Sequence, residues 1–295
     1  MESTTDRIDP ELLAHLQQWV GRQETLHDQA SAAPMRALSA TLDRDDPAPT
    51  LGTPIPPLWH WVYFLPAAQA HEFGPDGHPH RGGFLPPVPL PRRMWAGGRL
   101  TWDSTNPLRV GDVIERVSRI ESVTHKSGRT GDLLFVTVLH TIGNTQGPSI
   151  TEAHDIVYRA AAKPGETAPE PLMAAADAPW QRELTPDDVL LFRYSALTFN
   201  GHSIHYDRRY VTSVEGYPGL IVHGPLIATL LVDLVRRQRP QASLHRFEFK
   251  AVHPTFDGQP MRVCGAPNAQ GNSVELWAHD HAGRLTMKAS AQLQS

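Results

Sequence analysis

Residues suited to proton transfer crowd into one stretch, RYSALTFNGHSIHYD, from Arg193 to Asp207. Asn200, His202, His205, Tyr206 and Asp207 all fall inside it. An imidazole titrates at about 6.5 when unperturbed, so it can accept or release a proton near neutrality. An asparagine amide offers an acceptor and two donors and can hold a water or a carbonyl, but it cannot remove a proton. If this stretch performs acid–base chemistry, histidine carries the proton. Further along, His223-Gly224-Pro225 introduces an apolar run. As a helix start, Gly224 would have an amide with no intrahelical acceptor and no side chain to keep an ester or thioester carbonyl away. A free amide there could stabilise an oxyanion. Two other readings remain beside acid–base work. His202 and His205, three apart with Asp207 just beyond, could hold a metal, or they could cap loop backbone groups. The metal reading lacks a third strong ligand and the helical HExxH spacing, so no metal is expected.

The elements that would position these residues follow from periodicity. Residues 186–198 form a helix candidate with Thr185 as N-cap and Asp187 and Asp188 in its first turn. A second helix is expected from about His223 to Arg237, with Arg236, Arg237 and Arg239 at the end where cations suit the dipole. Four strand candidates follow: SLHRFEFKAV, QPMRVCGAP, SVELWAHD and RLTMKASAQL.

In the first half, 9–30 show a helical stripe of Leu12, Leu13, Leu16, Trp19 and Val20, with Asp9 as N-cap and Pro10 at N1. A short helix is expected at 34–42, then a turn-rich connector. LWHWVYFL, 116–123, 131–142 and 149–160 are strand candidates. The glycine- and proline-rich 73–98 leave no room for a long helix. Residues 161–182 are rich in alanine and proline and suggest a linker. The expected organisation is a helical segment 1–55, a sheet unit 56–160 with a degenerate helix, the linker 161–182, and a sheet wrapped around a helix in 183–295. The fold class is α+β.

Composition narrows the function classes. The 295 residues are 40% apolar and 20% charged with a formal net charge of -4, which suits a globular protein rather than a nucleic-acid binder. Cys264 is the only cysteine, so no intrachain disulfide or cysteine-rich metal site can form, and its place in MRVCGA suggests core packing. The N-terminal residues lack the apolar core of a secretory signal, and the longest apolar run is broken by His223, Gly224, Pro225 and Asp233. A cytoplasmic protein with no membrane or nucleic-acid partner is expected.

TFNGHSIHYD followed by VHGPLIATLL resembles the hydratase motif of the R-specific enoyl-CoA hydratases and MaoC-like dehydratases. That motif runs Gly-Asp-x-Asn-Pro-(Leu/Ile)-His-x-Asp, with a later His-Gly opening a central helix. The resemblance implies a hot-dog fold, here doubled. It places His205 on the catalytic histidine, Asp207 on the following aspartate and Gly224 on the glycine that polarises the thioester carbonyl. The family's catalytic aspartate is Asn200 in this chain, its asparagine is His202 and its proline is Ser203. Together with PLWHWVYF, GPDGHPHRGGFLPPVPLPRRMWAGG and KSGRTGDLLFVTV, the pattern is similar to mesaconyl-C4-CoA (3-methylfumaryl-CoA) hydratases and itaconate-pathway CoA hydratases over about 10–295. Mitochondrial 3-hydroxyacyl-thioester dehydratases share the C-terminal motif.

The resemblance implies a hydro-lyase acting on a 2-enoyl-CoA, with CoA part of the substrate and no separate cofactor. His205 would activate water, Asn200 would hold it, His202 could be a second acid–base group, and Asp207 would orient the loop. A substrate carboxylate needs a cation, and Arg92, Arg93, Arg81 and His80 are candidates. His223 is counted with the substrate-binding residues. Arg208, Arg209, Arg246 and Lys250 are candidates for the CoA phosphates. Longer acyl thioesters, a non-catalytic acyl-CoA-binding protein and a homodimeric assembly stay open.

Overall fold

The computed structural model describes residues 7–128, 131–160 and 170–294. In chain order, α1 (Pro10–Gln17), β1 (Gln23–Gln29) and α2 (Ala32–Thr41) precede a long irregular stretch. After it come β2 (Arg92–Trp102), β3 (Val113–Gly128), β4 (Gly131–Asn144) and β5 (Gly147–Arg159). The second half holds β6 (Trp180–Leu184), α3 (Asp188–Thr198), α4 (Arg208–Ser213) and α5 (Gly224–Gln238). It closes with β7 (Ser243–Ala251), β8 (Met261–Pro267), β9 (Ser273–His279) and β10 (Leu285–Gln294).

The ten strands of the described residues form one antiparallel sheet in the order β1-β3-β4-β5-β2-β7-β10-β9-β8-β6. The seam between the halves is β2 against β7, from Gly97 opposite Lys250 to Thr101 opposite Arg246. Glycine is required at that seam. A Cβ on Gly97 would sit 2.4 Å from the Phe249 carbonyl oxygen, so any side chain would push the half-sheets apart.

The second half wraps α5, whose residues from Leu226 to Val235 are all buried, against β6, β8, β9 and β10. Each buried Leu, Ile or Val contributes about 1.5–3 kcal/mol, so the eight buried apolar residues of this helix make a large contribution to the core. One charge lies within that run. The Asp233 carboxylate is fully buried and accepts from Arg44, Arg182 and Arg237, which ties α5 to the residues after α2 and to β6. Cys264 is buried in β8 as expected.

Among the described residues, the first half has no counterpart of α5. LWHWVYFL, expected as a strand, instead forms a 3-10 turn at Trp59–Val62, entered through Leu58 in the left-handed region (φ 68°). Glu152 of β5 decides this, because it accepts from Trp61 Nε1 at 3.1 Å and pairs with His60 Nε2 at 2.9 Å. The turn thereby becomes an aromatic plug in the core shared by both halves. A second apolar cluster packs α1 and Val88–Leu90 against Ile120, Val136 and Tyr158.

Other boundaries also moved. The helix expected over 9–30 stops at Gln17, because Gly21 turns the chain at φ 85° and the alternating QETLHDQ completes the sheet edge beside β3. The 34–42 helix is present as α2. The helix expected from 186 starts at Asp188, with Asp187 rather than Thr185 as the cap that accepts from the Leu190 amide. Within the expected linker, 161–169 lie outside the described residues, and Trp180–Arg182 belong to β6, paired with β8. Among the described residues no helix is long and apolar enough to cross a membrane.

Candidate active site

The loop after α3 is built by short-range bonds that the sequence dictates. Phe199 takes a left-handed conformation (φ 48°) and ends the helix, and the Asn200 amide returns to the Ser195 carbonyl at 2.8 Å. Asn200 Oδ1 then accepts from the His202 amide at 3.0 Å, an Asx-type turn. A 3-10 turn at Ser203–His205 follows, and Asp207 caps α4 by accepting from the Tyr210 amide at 2.9 Å. The loop is clamped to the approach of α5 by the Ile221 amide donating to the Ile204 carbonyl at 3.0 Å.

His205 donates Nδ1–H to the Ile221 carbonyl at 2.7 Å. That bond fixes the tautomer and leaves the lone pair on Nε2. Burial pulls the ring down to about 4 against the opposing effect of the carbonyl, so at neutral pH His205 is an uncharged base. His223, the residue before α5, stacks on it at 3.7 Å and 18° and bonds the Ser195 hydroxyl through Nε2 at 2.8 Å. Burial, then the neighbouring imidazoles, hold His223 well below its ordinary value. Gly224 opens α5 directly beside this stack. A Cβ placed on it would meet nothing within 4 Å, so there is room beside its α-carbon, and at the first position of α5 its amide has no intrahelical acceptor.

The sequence reading missed Asp76 and His78. They reach the site on the loop of GPDGHPH, in the first half of the chain. The Asp76 carbonyl accepts from the Ser203 amide at 2.9 Å, and Gly77 packs so closely on Gly201 that a Cβ there would lie 1.8 Å from its carbonyl oxygen. Asp76 accepts from the His78 amide at 3.0 Å and pairs with its Nδ1 at 3.1 Å. The His78 ring lies 4.0 Å from His202, whose ring is 5.4 Å from His205. Ligand-type atoms of Asp76, His78 and His202 all lie within 4.8 Å of one another. Burial would raise Asp76, but the bonds from His78 hold it well below the usual carboxylate range. Burial lowers His78, opposed by Asp76, and takes His202 down to about 2, with His78 and His205 adding to the fall. The available signal was the dense Asp-Gly-His-Pro-His run flanked by glycines, which needs the tertiary fold to acquire partners.

The remaining candidates separate clearly. Arg93, at the start of β2, acts electrostatically on His78, His202 and Tyr158, which puts its charge at the site. Arg92 is turned to Glu215 and lies 5.3 Å from the Tyr217 ring centre. Arg81 donates to the carbonyls of Val88, Leu90 and Pro91 and so braces the loop. His80 is exposed at the outer end of the same loop. Arg208 is held by Asp188 and Asp257, and Arg246 by Glu248. Arg209 and Lys250 are exposed.

This arrangement, a neutral imidazole base beside a free helix-start amide, can be compared with known proteins. The sequence profile of the hydroxyacyl-thioester dehydratase type 2 family matches residues 58–257. The mesaconyl-C(4)-CoA hydratase of Chloroflexus aurantiacus is 45% identical over 279 residues, 93% of this chain and 96% of the relative. The chain belongs to the hydroxyacyl-thioester dehydratase type 2 family. The fold agrees with that membership. The crystal structure of HtdX from Mycobacterium tuberculosis superposes with a TM-score of 0.66 at 16% identity, covering 91% of this chain and 98% of HtdX. A Mycobacterium tuberculosis protein described as a double hotdog fold superposes with a TM-score of 0.55 at 13% identity, covering 93% and 96%. The duplicated, α+β sheet-around-helix expectation is therefore met, with the first helix replaced by the aromatic plug.

Proposed function

We propose that this protein is a hydro-lyase that reversibly hydrates a 2-enoyl-CoA thioester, with mesaconyl-C4-CoA going to citramalyl-CoA. The observation that carries the reading is the end-to-end similarity to a hydratase of that name. The geometry supports it: His205 spends Nδ1 on the Ile221 carbonyl and keeps Nε2 beside the start of α5, whose first amide has no intrahelical acceptor. Adding water to a conjugated thioester changes no oxidation state overall, so the reaction needs no cofactor, and CoA enters as part of the substrate.

In this mechanism the Gly224 amide, at the positive end of α5, donates to the thioester oxygen as it becomes enolate-like. One such donor contributes roughly 3–4 kcal/mol to the transition state. His205 Nε2 removes a proton from water as its oxygen bonds to the β-carbon. Asn200 spends Oδ1 on the His202 amide, which leaves its Nδ2 donors for holding that water. In mesaconyl-C4-CoA the free carboxylate sits on the β-carbon, next to the attacking water. Its cationic partner must therefore stand beside the imidazoles, which favours Arg93 over the already engaged Arg92 and Arg81.

Turnover of mesaconyl-C4-CoA and crotonyl-CoA, followed by the loss of enoyl-thioester absorbance, tests these assignments. His205→Gln is expected to lower kcat about 100-fold or more. Gly224→Ala adds a methyl where nothing lies within 4 Å, so it is expected to fold normally, and crowding of the thioester by that methyl should lower kcat/KM about 100-fold. Arg93→Ala should harm the carboxylated substrate far more than crotonyl-CoA. Equal losses on both would remove Arg93 from carboxylate recognition, and a wild-type protein inert toward both thioesters would remove the hydratase reading.

A further inference from the structure

The site contains more proton-carrying groups than the reading above uses. Asn200 stands where a carboxylate would be expected, and its side-chain oxygen is occupied by the His202 amide. A carboxylate comes to the same imidazoles from the other half of the chain. Asp76 accepts from both the backbone amide and the Nδ1 of His78, which fixes the ring and directs Nε2 away from the carboxylate. His78 and His205 are thus two oriented imidazoles, one held by a carboxylate and the other by a neutral carbonyl. His202 lies between them, with ring centres 4.0 Å from His78 and 5.4 Å from His205.

We propose that Asp76 and His78 form a second proton-transfer dyad, in which His78 exchanges the proton at the thioester α-carbon while His205 handles the water. The inference rests on the hydratase reading above. In the hydration direction, the water oxygen bonds to the β-carbon as His205 Nε2 takes one proton from it. The double-bond electrons move onto the α-carbon and the thioester oxygen. The imidazolium form of His78 gives its proton to the α-carbon, and the C–H bond completes the addition. His205 is then protonated and His78 neutral, and a proton returned through His202 restores both, so only water has been added. Asp76 is the positioning residue, since it touches His78 and favours the imidazolium form. Burial is the largest influence on His78 and, with the charges of Arg93 and Arg81, holds the ring below its ordinary value, so Asp76 is what keeps the imidazolium within reach of the reaction.

A metal ion is the competing occupant of the same three side chains. The charges of Arg93 and Arg81 facing His78 repel a divalent ion about twice as strongly as a singly charged imidazolium, so the proton reading takes precedence.

The test uses the full chain with citramalyl-CoA in deuterium oxide, reading deuterium uptake at the α-carbon by mass spectrometry beside ordinary hydration kinetics. His78→Gln is expected to lower α-deuterium uptake and kcat in parallel by about 100-fold or more, with KM within about threefold. The Asp76 backbone carbonyl, not the His78 ring, holds Ser203, so the variant keeps the docked loop, and an unchanged melting temperature confirms that. Asp76→Asn should lower kcat and move the pH profile of kcat toward acid. α-Deuterium uptake that persists at the wild-type rate in His78→Gln overturns the dyad and returns both protons to His205. A wild-type protein that hydrates no enoyl-CoA instead defeats the functional reading itself, so the two failures are distinguishable.

Discussion

Acidification from about pH 7.5 to about 5.5 is expected to remove about 4 kcal/mol of stability through three imidazoles of the site. His202, His205 and His223 are 9%, 7% and 0% exposed. Burial is the largest cause of depression in each, taking His202 to about 2, His205 to about 4 and His223 well below its ordinary value. A histidine in the unfolded chain titrates near 6.5, so below that pH the unfolded state binds protons that the folded site refuses. The stabilisation is complete above about 6.5 and is lost progressively as pH falls toward the folded values. At about pH 5.5 each such imidazole costs roughly 1.4 kcal/mol, and this figure hardly depends on where below about 4.5 the folded value lies. Three of them amount to a large share of a typical folding free energy of about 5–15 kcal/mol. Urea unfolding followed by tryptophan fluorescence at the two pH values measures the difference. Each His→Gln replacement should flatten it by about 1.4 kcal/mol, because glutamine does not titrate. A triple Gln variant with the full wild-type pH dependence would refute the reasoning.

Two further perturbations separate the site from its scaffold. Gly77→Ala adds a methyl 1.8 Å from the Gly201 carbonyl oxygen at a residue with φ 80°. Loss of the docked Asp76–His78 loop should then lower kcat at least about tenfold while circular dichroism stays that of the folded sheet. Retention of full activity would show that the loop need not dock. Glu152→Ala strands the buried His60 and the half-buried Trp61 indole and takes away an opposite charge that supports Arg116. It is expected to cost about 3–5 kcal/mol in urea unfolding. Glu152→Gln, which keeps an acceptor, should cost less, and equal losses would show that hydrogen bonding at this position is unimportant.

Much of the site was legible as local chemistry. The helix stop at Phe199, the imidazole-rich turn and the His223-Gly224 start of α5 each depend on residues close in sequence, so residue type and spacing pointed to them. The four C-terminal strands and the buried Cys264 were legible for the same reason, because their patterning is set by which face meets α5. What the tertiary structure decided lies across long sequence separations. LWHWVYFL has every strand-forming residue type, yet Glu152 on β5 offers its side chains a buried acceptor and folds the segment into a plug. QETLHDQ continues a helical stripe in sequence, yet an open sheet edge beside β3 satisfies its backbone instead. Arg81, Arg92 and Arg93 are close together in the sequence, and only their surroundings distinguish a loop brace, a surface tie and a charge at the imidazoles. Asp76 and His78 likewise acquire meaning only when Gly77 lets their loop lie against Gly201, more than a hundred residues away. Sequence alone shows which groups can move a proton, but burial and close backbone approach select the ones that share a site.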